Sequence, residues 1–321
     1  MFFNTSTFNN NVELTILVNL LIYIAILLGI PMLFLSFLSL FKLHPTNKKT
    51  IYLYAFSTGM FLMIGAAGFI KEGWVLLEQW FHKKDGGLLL TKGIVALEQS
   101  FIAMIVGYSA MIGLAIVIIG RYVFIRTAKV DFHKKHSDHG HSEHITSFRD
   151  IDNPKAAWSA ILMLLSHRII DGLVLGITIY QVTINGVNKA NIPLIVTFNI
   201  HILLEIIIVY YRQMQYGEKR TKAILFNFIT LLLIIPIMFF GAFLGKFLDR
   251  IGWLIPSLEI MGGTIVIFMS IIELVPEFIH YRNEKVKTIY GTLATIALAM
   301  VFTLVLLSFH THTSPPKIEF G

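Results

Sequence analysis

Residues 156–183 read AAWSAILMLLSHRIIDGLVLGITIYQVT. The stretch is apolar and long enough to cross a bilayer, which takes about 20 residues. Its centre nevertheless holds His167, Arg168 and Asp171. The next apolar stretch, 190–211, is interrupted in the same way by His201 and Glu205. His167/Asp171 and His201/Glu205 are each spaced i, i+4, so each pair shares one helix face, one turn apart. A charged group at the bilayer centre costs about 2.5–3.5 kcal/mol on insertion scales. Nitrogen and oxygen side chains there, on two consecutive segments, point to a metal held at the membrane midplane.

The rest of the chain fits the same setting. Of its 321 residues, 55% are apolar and 14% charged, and the mean hydropathy is +0.72. A soluble domain has about 25% charged residues. The expected fold is an all-α membrane protein with eight transmembrane helices, at roughly 13–41, 51–70, 95–120, 156–183, 190–211, 222–247, 253–279 and 288–310. Residues 1–321 form one polytopic membrane domain. The stretch Trp74–Phe81 reads as an amphipathic segment lying in the interface. The first apolar run is too long for a signal peptide and lacks a basic leader, so it is expected to stay as a helix. With no cysteine, thiolate metal sites and disulfides are excluded.

The net charge of +7 is informative by location and does not indicate nucleic-acid binding. Loops after helices one, three, five and seven carry 17 of the 26 Lys and Arg residues, against 8 in the termini and remaining loops. By the excess of basic residues in cytoplasmic loops, both termini are extracytoplasmic and the 121–155 loop is cytosolic. His167 then lies 11 residues into helix four from one side, and His201 about 10 residues into helix five from the other. At about 1.5 Å per residue both reach about 15 Å depth, the middle of a core about 30 Å thick.

Two His and two carboxylates, His167, Asp171, His201 and Glu205, suit Zn²⁺ and also Fe²⁺, Mn²⁺ or Cd²⁺. Each pair taken alone equally suits a hydrogen-bonded polar cluster; the matching depth favours a metal. Gly172 and Gly176 form a small-xxx-small pattern that lets helices approach closely. Asn199 points away from His201. Arg168, beside His167, needs an anionic partner, and Asp171 and Glu205 are the candidates. Arg168 is read as a fixed cation filling the place of a second metal. In the cytosolic loop, HKKHSDHGHSEH (133–144) carries His133, His136, His139, His141 and His144, a tract that binds metals loosely. Glu273, near the cytosolic end of helix seven, is a candidate exit site. The pairs Gly241/Gly245 and Gly262/Gly263 read as packing positions.

In layout and motifs the chain resembles the ZIP (Zrt/Irt-like) family of divalent metal transporters, as a diverged bacterial-type member. The family's helix-four H-N-x-P-(D/E)-G is matched by His167-Arg168-Ile169-Ile170-Asp171-Gly172, and its helix-five H-E-x-P-H-E by His201-Ile202-Leu203-Leu204-Glu205-Ile206. Ser57-Thr58-Gly59-Met60-Phe61-Leu62 looks like the family's A-A-G-x-x-L stretch, and Glu273-Leu274-Val275-Pro276-Glu277 like its acidic-x-x-P-E ending. The resemblance implies a primary site at His167, Asp171, His201 and Glu205. It implies a second site that is closed, because Arg168, Ile202 and Ile235 replace its ligands. Both motif prolines are absent, at Ile170 and Leu204. The resemblance also implies a homodimer.

The function expected is transport of a divalent cation, Zn²⁺ first, into the cytoplasm across the cell (plasma) membrane. The metal is the substrate, the site is exposed to each side in turn, and no organic cofactor is involved. The chain is then not an enzyme. Two alternatives are a membrane-embedded zinc hydrolase and a non-transporting metal sensor. The hydrolase is disfavoured because Ile202 stands where a helix-seated HExxH would have its general base.

Overall fold

The computed structural model describes residues 2–40, 47–82, 86–127, 168–186, 192–215, 218–248, 250–271 and 285–308. These residues are almost entirely helical, with no strand among them. His167, Glu273 and the whole 133–144 histidine tract lie outside the described residues.

The long helices are α1 (Val12–Leu40), α2 (Ile51–Phe81), α3 (Val95–Thr127), α4 (Arg168–Asn185), α5 (Ile192–Gln215), α6 (Arg220–Leu248), α7 (Leu254–Met269) and α8 (Val286–Ser308). Five helical stretches, in α1, α2, α3, α6 and α8, are long and apolar enough to cross a bilayer. The described apolar parts of the other three are shorter, at Asp171–Ile184, Phe198–Tyr211 and Leu254–Met269. Such helices place the chain among membrane proteins. Their outward faces suit lipid: Leu21, Leu33 and Phe37 on α1, and Leu298, Val301 and Leu304 on α8, are exposed.

Proline and glycine shape these helices. Pro236 has no N–H to donate and its ring crowds the carbonyl one turn back, and α6 is broken at Leu233, just ahead of that proline. Pro31, by contrast, is carried inside α1. Residues Ile64–Ile70 of α2 form a π-helical turn. There α2 meets α7 backbone to backbone: a Cβ on Gly65 would lie 2.7 Å from the Gly263 carbonyl, and one on Gly263 2.6 Å from the Gly65 carbonyl. The contact continues along α2, where a Cβ on Gly73 would lie 2.7 Å from the Pro256 carbonyl. The stretch Trp74–Phe81 therefore continues α2 and buries Leu77 and Phe81. The second helix thus runs past the expected end at residue 70, and packing on α7 accompanies the extension.

Two sets of helices emerge from the packing. In one, α4 lies closely along the second half of α6, and α1 packs on α4, α5 and α6. In the other, α8 lies along α2, and α7 along α3 and α2. Helix α5 touches both sets. Glycine makes the α4–α6 approach close: a Cβ on Gly241 would lie 2.5 Å from the Leu173 carbonyl, and Gly176 faces Met238 of α6 with no room for one.

Candidate metal centre

The three described candidate ligands are all buried: Asp171 is 0% exposed, His201 1% and Glu205 0%. Asp171 lies in the first described turn of α4, and His201 and Glu205 lie one turn apart on α5. Helices α4 and α5 bring these side chains to one level, with His201 Nε2 3.9 Å from Asp171 Oδ2. That is a close approach of two polar side chains, longer than a hydrogen bond.

Arg168, 2% exposed, answers Glu205. Its Nε donates to both carboxylate oxygens, at 3.2 and 3.3 Å, and its Nη1 donates to Thr230 Oγ1 on α6 at 2.9 Å. The Thr230 hydroxyl in turn donates to the Asn227 carbonyl at 2.8 Å. Of the two carboxylates available to the guanidinium, Glu205 is therefore its hydrogen-bonded partner. The pairing crosses between helices: Asp171 of α4 with His201 of α5, and Arg168 of α4 with Glu205 of α5. Among the described residues, no group of three or more His, Asp or Glu side chains is gathered closely enough to hold a metal. The Arg168 guanidinium faces both oxygens of Glu205.

Aromatic rings enclose the imidazole. Phe61 of α2 meets His201 edge-on with centroids 4.2 Å apart, and Phe198, one turn earlier on α5, does so at 5.7 Å. Phe69 backs Phe198 at 5.2 Å. On the α1 side, Asn199 Nδ2 donates to the Tyr23 hydroxyl at 3.0 Å and to the Ile195 carbonyl at 2.7 Å. Asn199 thus points away from His201, as its spacing implies. One turn toward the start of α1 from Tyr23, Asn19 Nδ2 donates to Thr183 Oγ1 of α4 at 2.9 Å and to the Phe3 carbonyl at 3.0 Å. Its Oδ1 accepts from the Phe3 amide at 2.8 Å. The N-terminal segment is clipped down at this end of the α1–α4 contact.

Sequence reasoning missed Thr230, Phe61, Tyr23 and Asn19. A threonine and aromatic rings are ordinary in an apolar helix and carry no local signal. Only Phe61 lay within a quoted stretch, and there as a helix-two position. The expected ligand His167 and the expected sites at Glu273 and the loop histidines fall outside the described residues.

No protein-family model and no curated protein matches the chain.

Proposed function

We propose that this chain moves a divalent cation, Zn²⁺ before Fe²⁺, Mn²⁺ or Cd²⁺, across the plasma membrane into the cytoplasm, as a member of the ZIP family. One observation supports the reading above the others. Asp171 and His201, both suited to a divalent first-row ion, meet inside a bundle of apolar helices, one turn from Glu205. Burying ionisable groups at membrane depth is costly and marks a substrate path or relay by default. His167, four residues before Asp171, completes the ligand set.

On this reading eight spans cross the bilayer, both termini lie outside, and the protein works as a homodimer without organic cofactor or enzymatic chemistry. Access alternates as one helix set moves against the other around the midplane site, the behaviour common to transporters with such sites. The set α1, α4, α5 and α6 carries Arg168, Asp171, His201 and Glu205. The set α2, α3, α7 and α8 supplies Phe61 as a wall. Glu273 belongs to the exit and the loop histidines to the cytosolic side.

The non-transporting sensor has one observation in its favour: Arg168 already satisfies Glu205, as in a purely structural pair. Uptake of Zn²⁺ into proteoliposomes separates the two. Saturable uptake that falls at least tenfold in Asp171→Ala, relative to empty vesicles, is the result expected for a carrier. Zinc binding without flux under any gradient contradicts transport and leaves the sensor.

A further inference from the structure

Arg168 and a metal at the site would compete for the same two atoms. A zinc–carboxylate bond is about 2.0–2.2 Å long, and the Arg168 Nε already lies 3.2 and 3.3 Å from the two oxygens of Glu205. A divalent ion on those oxygens and a guanidinium in its present place would be like charges almost in contact. In a medium of low dielectric that repulsion is severe. The repulsion favours release of the guanidinium from Glu205, and Arg168 has a second anchor that does not depend on that carboxylate. Its Nη1 donates to Thr230 Oγ1 of α6 at 2.9 Å, and its Nη2 has no hydrogen-bond partner among the described residues.

This competition bears on the half of a transport cycle that carries no substrate. After releasing its ion, a carrier must return with the site empty, and a site built from carboxylates would then return as buried unpaired charge. Such charge is expensive at membrane depth. Carriers that lack a remedy either exchange one ion for another or move a second ion back.

Resting on the transport reading above, we propose that Arg168 is the tethered counter-ion of the returning carrier: its guanidinium takes Glu205 when the metal leaves and swings off it, still anchored at Thr230, when a metal arrives. The substrate-free site then carries its own replacement cation, and the chain performs net uptake without a counter-transported ion. This goes beyond a fixed cation that blocks a second metal, since a fixed cation stays on Glu205 whether or not metal is bound.

The test compares two modes of the full-length protein in proteoliposomes. Net uptake is measured into zinc-free vesicles, and exchange is measured as tracer zinc entering vesicles loaded with unlabelled zinc. Only net uptake requires the empty return. In Arg168→Ala the ratio of net uptake to exchange is expected to fall at least tenfold, and zinc binding to tighten because a competitor has been removed. Arg168→Lys keeps the charge and is expected to recover most of the ratio. Thr230→Val removes the second anchor at a half-buried position and keeps the side chain's shape. It is expected to lower the ratio severalfold, and it decides the matter if Arg168→Ala does not fold. A wild-type ratio in Arg168→Ala, or in Thr230→Val where the first variant is lost, overturns the proposal and leaves transport standing. Wild-type protein that neither accumulates nor exchanges zinc overturns the transport reading, and this proposal with it.

Discussion

Two polar clusters tie α1, α4, α5 and α6 together, and they are built from different chemistry. Near the start of α1, Asn19 binds Phe3 and Thr183 through neutral hydrogen bonds. Toward the start of α4, Arg168 pairs with Glu205 of α5, and His201 Nε2 lies 3.9 Å from Asp171 Oδ2. A neutral hydrogen bond adds about 1 kcal/mol net. A buried ion pair often adds nothing, because taking each ion out of water costs several kcal/mol. Packing and stability account for the first cluster. In the second, Asp171, His201 and Glu205 are of the types that ligate a divalent cation, and Arg168 is not.

Glu205→Gln should have the larger effect on stability. It leaves the Arg168 guanidinium buried without its counter-charge, a loss of about 3–5 kcal/mol. The melting temperature in detergent should drop markedly. Arg168→Met combined with Glu205→Leu removes both charges and should recover most of that loss. If the single variant melts like the wild type, the pair is not an energetic unit and the contrast with Asn19 fails.

Asn19→Ala comes next. It removes a buried side chain holding the Phe3 amide and carbonyl, and should cost about 1–3 kcal/mol. Zinc flux per folded molecule should stay unchanged, since Asn19 serves structure. A loss of flux at full stability would move this clip into the transport path.

Phe61→Leu should have the smallest effect. It keeps an apolar side chain but loses the edge-on ring contact that orients His201, worth about 0.5–1.5 kcal/mol. Zinc affinity should weaken by a few-fold with little change in melting temperature. A loss of affinity as large as that of His201→Ala would give Phe61 a role beyond orientation.

Some of this was legible in the sequence for plain reasons. Runs of apolar residues mark helices wherever no polar residue is needed for packing. Hence 13–41, 222–247 and 288–310 correspond to Val12–Leu40, Arg220–Leu248 and Val286–Ser308 within two residues at each end. The extension of α2 to Phe81 was not legible. Lys71, Glu72 and Glu78 make that stretch look interfacial, whereas the approach of Gly73 to α7 and the burial of Leu77 and Phe81 beside Ile260 are tertiary contacts. Asp171, His201 and Arg168 stood out because ionisable groups are conspicuous in apolar runs. Spacing within each helix suggested His167 with Asp171 and His201 with Glu205. His167 lies outside the described residues, and the contacts described for the others, Arg168 with Glu205 and Asp171 with His201, run between helices, which spacing along one helix cannot reveal. The choice of Glu205 over Asp171 by Arg168 depends on where α6 places Thr230, a matter of tertiary packing.

The most direct test of the central claim is zinc-binding stoichiometry of the purified full-length protein by isothermal titration calorimetry. Three forms are compared: wild type, His201→Ala, and a form with His133, His136, His139, His141 and His144 all changed to Ser. The account predicts one tight equivalent that survives loss of the loop histidines and disappears in His201→Ala. A tight equivalent that disappears with the loop histidines and persists in His201→Ala would contradict it.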